Sequence, residues 1–270
     1  MAKTNKELGR SLRLLLKSSV IIFIGMILSK VFTYVYRIII AREFGPEVYG
    51  LFSLALMAVG WFVLFSNLGL AEGITRYIPL YRGKNEIHKA RYLFRKSFFI
   101  SSIAGVTAGI LLFAFSSYIA NNLLKEPDLL YFIRVFSILV PLTVLTKILL
   151  SALQSYEEIG WLSFLSNVLP TILKVVFIVI FIIAGMMVNA VIFSYLAAII
   201  LVFFATFFIS RIKLRTLFEK YKSKNKNLLK EVFFYSSPLF FAGMAWNIFH
   251  WADSFVIGYF QTAYEVGIYN

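Results

Sequence analysis

The sequence predicts an all-α protein that crosses a membrane several times. Of its 270 residues, 60% are hydrophobic and only 15% are charged, and the mean hydropathy is +0.82. Soluble domains are about 45–50% apolar and about 25% charged, and they avoid large exposed apolar patches. The hydrophobic residues also form long runs, and a helix of roughly 20 apolar residues spans a bilayer core about 30 Å thick. Soluble, disordered and coiled-coil folds are therefore excluded.

Seven apolar runs are predicted to be transmembrane helices. Their continuous hydrophobicity distinguishes them from the alternating strands of an outer-membrane barrel. The first run is long, contains basic residues and is not followed by a small-residue cleavage site, so it is not a cleaved signal peptide. The predicted spans are residues 19–41, 48–71, 97–119, 131–151, 161–185, 188–211 and 234–260.

Basic residues predict the orientation of these spans in a cell membrane. With the N-terminus in the cytoplasm, 20 of the 27 Lys and Arg residues fall in cytoplasmic segments and 2 fall outside, as the positive-inside rule requires. The net charge of +14 is thus largely an orientation signal, so membrane lipid and not nucleic acid is the expected partner. Segment 76–96 predicts a helix on the membrane surface, and 212–230 predicts a basic cytoplasmic linker.

A motif from the first span recurs near the C-terminus. Six spans separate the two copies, and because six is even both copies start on the same side of the membrane, as in a parallel repeat. The sequence therefore predicts a six-helix lobe over 1–211 and the first helix of a second lobe over 231–270. The second lobe is expected to be incomplete, through truncation or because a second chain completes it. The matches are 25–26 with 243–244, 47–48 with 265–266, and Gly50 with Gly267.

The same segments carry a family resemblance. The pattern R-x-x-x-A-R-x-F-G-P-E-x-Y-G at 37–50 is followed by N-L-G-L at 67–70, R-Y-I-P-L-Y at 76–81, S-S-P at 236–238 and E-V-G-I-Y-N at 265–270. This order resembles the polysaccharide-biosynthesis flippases of the MATE/MOP superfamily. The resemblance implies a MATE/MOP-like fold of two six-helix lobes, of which this chain covers the first lobe and one further helix.

Lysine and arginine inside the spans are the candidate binding residues. Lys30 and Lys174 lie near the middle of their predicted helices, where an ionisable group is costly, and Arg37 follows Lys30 by two helical turns on the same face. We predict that all three line a water-filled cavity; the alternative is a lysine held by backbone carbonyls at helix contacts. Lys147 and Arg134 lie nearer helix ends, from which long side chains reach the headgroups.

The sign of these charges indicates the ligand. The first six predicted spans contain five cations and no carboxylate, which favours an anionic ligand in a low-dielectric cleft, and arginine suits phosphate. His250 and Asp253 share a face of the seventh span. They are the second-lobe residues expected to face Lys30 or Arg37, although Asp253 is equally compatible with facing a helix of the second lobe.

The leading functional hypothesis is a flippase that moves a lipid-linked oligosaccharide or polysaccharide precursor across the cell membrane by alternating access. The expected partners are membrane lipid and a glycan linked to an anionic lipid phosphate or pyrophosphate. No enzyme activity, catalytic residue, cofactor or metal site is predicted, because the chain has no cysteine and two histidines and no spacing typical of metal ligands. The alternatives are a cation-coupled multidrug exporter of the same fold, which needs a carboxylate in the membrane, and a non-functional truncated remnant.

Overall fold

A computed structural model describes residues 2–219 and 226–270, and the side chains of residues 16, 19–219 and 228–270. The described residues form helices and turns with no strand. Part of the predicted linker, residues 220–225, lies outside the described residues. The helices are α1 (Ala2–Asn67), α2 (Leu70–Gly83), α3 (Ile87–Tyr118), α4 (Leu129–Phe136), α5 (Leu139–Ser155), α6 (Ile159–Ser163), α7 (Leu169–Ile183), α8 (Asn189–Lys213), α9 (Arg215–Phe218), α10 (Lys226–Phe260) and α11 (Ala263–Tyr269), with π-helical turns at Ile119–Leu123 and Phe164–Val168.

The long apolar helices match the predicted spans. Within the described ranges, five helices are long and apolar enough to cross a membrane, and the bent pair α4 and α5 makes a sixth. The protein is therefore a multi-pass membrane protein. The five are Ser19–Asn67, Ile87–Leu123, Ile159–Ile183, Asn189–Lys213 and Leu228–Phe260.

The helix α1 contains the first two predicted spans because it folds back at Gly45. Gly45 has φ 83° and ψ 167°, a conformation that glycine adopts without the strain of a Cβ atom, and Pro46 suits the first turn of the helix that follows. The rings of Tyr36 and Phe52 are 6.0 Å apart, whereas 16 residues of straight helix would separate them by about 24 Å. The two arms of α1 are thus antiparallel, and we call this end of the bundle the Gly45 end.

The fourth predicted span is broken between α4 and α5, which meet at an angle of 42°. Pro141 has no N–H to donate to the carbonyl of Ser137, and this lost hydrogen bond breaks the helix. A face of α3 that carries two glycines packs on the break: a Cβ atom at Gly105 would lie 3.0 Å from Cα of Pro141, and one at Gly109 would lie 2.9 Å from the Ser137 carbonyl oxygen. Both glycines therefore allow a close contact between α3 and the broken helix.

Segment 76–96 does not form the predicted surface helix. The second span ends at Asn67 and not at residue 71, and α2 then buries one face, including Ile74, Tyr77 and Ile78. After a turn at 84–86, the remainder of the segment is the first part of α3. The basic residues are therefore divided between two packed helices. The apolar face of α2 is buried against other helices of the protein.

Helix α10 lies along the second arm of α1. A Cβ atom at Gly60 would lie 3.1 Å from Nε1 of Trp251, and one at Gly69 would lie 2.8 Å from Cβ of Ser236. At the Gly45 end, the two segments that carry the repeated motif contact each other. A Cβ atom at Gly50 would overlap the Ala263 carbonyl oxygen, and one at Gly267 would overlap the Pro46 carbonyl oxygen. Such reciprocal contacts are expected where two related segments meet at a two-fold axis.

One of the span cations has a carboxylate partner. Nζ of Lys147 lies 3.1 Å from Oε1 of Glu72, and Nδ2 of Asn67 lies 3.3 Å from Oε2 of the same carboxylate. The side chains of Lys147 and Glu72 are 47% and 31% exposed, so the pair is partly accessible. The expectation that the cations of the first six spans are uncompensated therefore fails for Lys147.

The buried apolar residues form two clusters, one towards each end of the bundle. The cluster at the Gly45 end includes Ile40, Phe52, Leu54 and Phe136. The other cluster joins α2, α3, α5 and α9 at the opposite end. Packing within the first cluster holds together the helices that form the candidate functional site.

Candidate functional site

A cavity of about 230 Å³ opens between the two arms of α1 and helices α7, α8 and α10. We call it the central cavity. It brings together three of the predicted site residues, Arg37, Lys174 and His250, from three different helices. Of the described residues that line it, none is an aspartate or a glutamate. Its lining is Thr33, Tyr36, Arg37, Tyr49, Phe52, Ser53, Leu56, Thr171, Lys174, Tyr195, His250, Trp251 and Asn270.

Arg37 is positioned by the first arm of α1. It lies eight residues before Gly45, or about 12 Å from the Gly45 end at 1.5 Å per residue. Its Nη1 donates a hydrogen bond to the backbone carbonyl oxygen of Asn270 at 3.0 Å. This contact satisfies one donor, and the guanidinium has five. Donors therefore remain for a ligand in the central cavity.

Lys174 reaches the same cavity from α7. It lies nine residues before the end of α7, about 14 Å from that end, so its depth matches that of Arg37. The turn between α7 and α8 contains Gly185 at φ 76° and returns the chain antiparallel. Nζ of Lys174 then lies 4.3 Å from the ring centroid of Tyr195, and this cation–π contact stabilises a half-buried ammonium group without neutralising it.

A π-helical turn at Phe164–Val168 precedes α7 and sets the position of Thr171 and Lys174. Pro170 cannot donate a backbone hydrogen bond, which accounts for the irregular turn just before it. The Thr171 hydroxyl donates to the carbonyl oxygens of Asn167 and Val168 at 3.0 and 2.9 Å. The side chain of Thr171, which lines the central cavity, is thus held against the backbone of the irregular turn.

Aromatic side chains form the wall of the central cavity behind the two cations. The rings of Phe52 and Tyr195 are 5.4 Å apart, and those of Tyr195 and Phe136 are 5.5 Å apart. The Tyr36 hydroxyl is buried and lies 3.2 Å from the Ser194 hydroxyl. Tyr49, Phe52 and Tyr195 could not be singled out from the sequence, because an aromatic residue in an apolar span carries no sign of the face on which it lies.

The other predicted site residues are placed differently. Lys30 is exposed on the first arm of α1 and is absent from the lining described above, although it lies only about 10 Å along the helix from Arg37. His250 lines the central cavity, and its ring lies 5.0 Å from that of Trp251. Asp253 accepts a hydrogen bond from the Tyr269 hydroxyl at 2.7 Å. Within the described part of the chain, neither Lys30 nor Arg37 forms an ion pair with Asp253.

An apolar groove of about 500 Å³ lies on the other side of the contact between α10 and the second arm of α1. Trp251 lines the central cavity, whereas Ile248, Ala252 and Phe255 of the same helix line the groove. Helix α10 therefore separates a cationic cavity from an apolar groove.

Comparisons with known proteins agree on the family and the fold. Residues 15–270 match the model of the family described as polysaccharide biosynthesis protein. A putative O-antigen transporter of Shigella flexneri is 20% identical over 236 residues, which are 86% of this chain and 54% of that protein. The chain thus spans about half the length of the curated relative that it matches.

Two solved transporters have similar structures. A MOP superfamily transporter from Pyrococcus furiosus aligns with a TM-score of 0.68 at 19% identity, over 86% of this chain and 52% of that chain. A multidrug resistance MATE family transporter of the MOP superfamily, in an outward-facing conformation, aligns with a TM-score of 0.65 at 19% identity, over 93% of this chain and 62% of that chain. These likenesses show the MATE/MOP fold.

Proposed function

Because the chain belongs to the polysaccharide biosynthesis protein family, we propose that it acts in a flippase that moves a lipid-linked oligosaccharide or polysaccharide precursor from the cytoplasmic to the outer leaflet. The central cavity would open alternately to the two sides of the membrane, and the polar head of the lipid-linked precursor would cross within it. Translocation makes and breaks no covalent bond, so the proposal includes no catalytic residue and no cofactor.

The observation that carries this proposal is the charge of the central cavity. Arg37 and Lys174 lie at similar depth in the membrane, and no carboxylate is present among the described residues of the lining. An uncompensated pair of cations in a low-dielectric site attracts an anion. A phosphate or diphosphate that joins a glycan to a lipid supplies such an anion, and arginine binds its oxygens in a bidentate manner.

The apolar groove beside the central cavity supports a lipid-linked substrate. A phosphate head in the cavity leaves a long hydrocarbon chain that must stay in apolar surroundings. The groove offers a surface with almost no polar atoms, on the far side of α10. A soluble sugar phosphate has no hydrocarbon chain that could lie on such a surface.

Multidrug export coupled to a cation remains the alternative function within this fold. Such a pump needs a membrane carboxylate that is available to a proton, a sodium ion or a cationic drug. Glu72 is already held by Lys147 and Asn67 and does not line the central cavity. The charge of the cavity therefore favours an anionic cargo over a cationic one.

The direct test is translocation by the protein reconstituted in vesicles. We expect the protein to move a fluorescent lipid diphosphate-linked oligosaccharide between leaflets, measured as loss of protection from an external quencher. A lipid that carries the same sugar through an uncharged ether linkage should cross no faster than in protein-free vesicles. Equal transport of both lipids, or transport of a cationic dye in preference to either, would refute an anionic substrate.

We also propose that the N-terminus is cytoplasmic, on the basis of the distribution of basic residues. The chain has no cysteine, so single cysteines report the orientation cleanly. In intact cells, a membrane-impermeant maleimide should label Asp128→Cys, in the turn before α4, and should label Lys84→Cys, after α2, only once the membrane is permeabilised. Both residues are exposed. The opposite pattern of labelling would reverse the proposed topology.

A further inference from the structure

A second cationic site lies far from the central cavity. A groove of about 620 Å³ opens between α3 and α8 at the end of the bundle opposite Gly45, and we call it the basic groove. Its cations are Arg95 and Lys96, and the neighbouring pocket, which shares Phe218, contributes Arg211 and Arg215. Arg211 lies 16 residues along α8 from Tyr195, or about 24 Å. The basic groove is therefore separate from the proposed transport site.

Phenylalanine rings form the wall of the basic groove. The ring centroids of Phe94 and Phe218 are 5.1 Å apart, and those of Phe207 and Phe218 are 6.2 Å apart. Phe98 and Phe99 extend this wall along α3, and Phe99 is 59% exposed. Edge contacts between the rings fix the wall, so the groove presents a preformed apolar surface.

The carboxylates around the basic groove are already paired. Glu219 lies 2.6 Å from Nη2 of Arg91, and Glu158 lies 3.7 Å from Nζ of Lys213. In the ranges that the structure describes, Lys96, Arg211 and Arg215 have no carboxylate partner within ion-pair distance. The positive charges of Lys96, Arg211 and Arg215 are therefore not neutralised by an ion pair within these ranges.

The cations and the rings are arranged along the membrane normal. Lys96 immediately precedes the apolar run of α3, and Arg211 immediately follows that of α8, so both cations lie at the water boundary. Phe99, Ser102 and Phe207 lie on the apolar side of this boundary. A phospholipid has the same order, with a phosphate at the boundary and acyl chains below it. Basic pockets between helices at this level suit anionic headgroups.

We propose that the basic groove binds one anionic phospholipid of the adjoining leaflet. Its phosphate contacts Lys96 and Arg211, and an acyl chain lies on the phenylalanine wall. The site holds a resident lipid and is not part of the transport path, so it does not depend on the proposed function.

The test measures which lipid the purified full chain retains. Protein exchanged into micelles with equal amounts of phosphatidylglycerol and phosphatidylcholine should keep one phosphatidylglycerol in native mass spectrometry. The double variant Lys96→Gln, Arg211→Gln should retain about thirtyfold less, because each of the two cations near the surface contributes about 1 kcal/mol to binding of anionic lipid and a factor of ten corresponds to about 1.4 kcal/mol. Soluble glycerol phosphate, which lacks acyl chains, should not displace the lipid.

Two controls separate the basic groove from a diffuse positive surface. The double variant Lys84→Gln, Lys230→Gln removes the same charge from exposed positions outside the groove and should retain the lipid normally. Ser102→Trp fills the groove without changing its charge and should expel the lipid. Equal loss in the Lys84 and Lys230 variant, unchanged retention in Ser102→Trp, or retention of phosphatidylcholine by the original protein would each overturn the proposal.

Discussion

Replacing Arg37 and Lys174 together by glutamine should reduce translocation of a lipid diphosphate-linked glycan by at least about a hundredfold. Each cation forms charge-assisted hydrogen bonds to phosphate, which contribute about 1.5–3 kcal/mol each, and a factor of ten corresponds to about 1.4 kcal/mol. Either single variant should lose about tenfold or more. The rate of appearance of the fluorescent head in the outer leaflet measures the effect.

The matched control for this experiment is Arg134→Gln. Arg134 is also a cation of a predicted span, but it lies on α4 near Ser116 and does not line the central cavity. Its loss changes the net charge by the same amount as either single variant and should leave the rate within about twofold, because an exposed cation contributes little beyond its local contacts. A similar loss in Arg134→Gln would mean that total charge matters and the cavity does not.

Replacing Gly50 by alanine should destabilise the Gly45 end strongly. The added Cβ atom would overlap the Ala263 carbonyl oxygen and lie 3.0 Å from the Gly267 nitrogen. Both obstacles are backbone atoms, which cannot rotate away, so we expect a cost of about 1–3 kcal/mol, as for overpacked cores. This loss of stability should appear as a lower midpoint of thermal unfolding in detergent. Gly267→Ala should lower the midpoint in the same way, because its Cβ atom would overlap the Pro46 carbonyl oxygen.

Gly243→Ala provides the comparison for this prediction. Gly243 lies inside α10, and a Cβ atom there would have no atom within 4 Å among the described residues. Alanine is favoured over glycine inside a helix by about 0.5–1 kcal/mol, so Gly243→Ala should be at least as stable as the original protein. If Gly50→Ala were equally stable, the close packing of the two repeated motifs would be wrong.

The sequence was sufficient for features that depend on local chemistry. Continuous hydrophobicity located the long helices, and the preferences of Gly45 and Pro46 explain the fold-back that the structure shows. Pro141 likewise explains the break that Gly105 and Gly109 accommodate. Each of these features follows from the preferences of one residue type or from the length of an apolar run. The predicted spans over 131–211 begin and end within four residues of the helices that the structure shows, whereas α3 begins at Ile87, ten residues before the predicted span at 97–119.

Features that depend on the rotation and packing of helices were not predictable in the same way. Lys147 and Glu72 are 75 residues apart in sequence, and no spacing rule relates them. Arg37 and Lys174 enter one cavity because two antiparallel hairpins pack face to face, while Lys30, two turns from Arg37, stays outside the lining. The Asp253 carboxylate accepts a hydrogen bond from the Tyr269 hydroxyl because α11 folds back beside α10.

The most direct test of the account is the affinity of the central cavity for headgroups of different charge. Protein in nanodiscs should bind a lipid-linked glycan more tightly as its linkage changes from uncharged to phosphate to diphosphate. The variant Arg37→Gln, Lys174→Gln should bind all three with the same low affinity. Affinity that does not depend on the charge of the linkage in the original protein, or that persists in the variant, would contradict the claim that these two cations recognise the substrate.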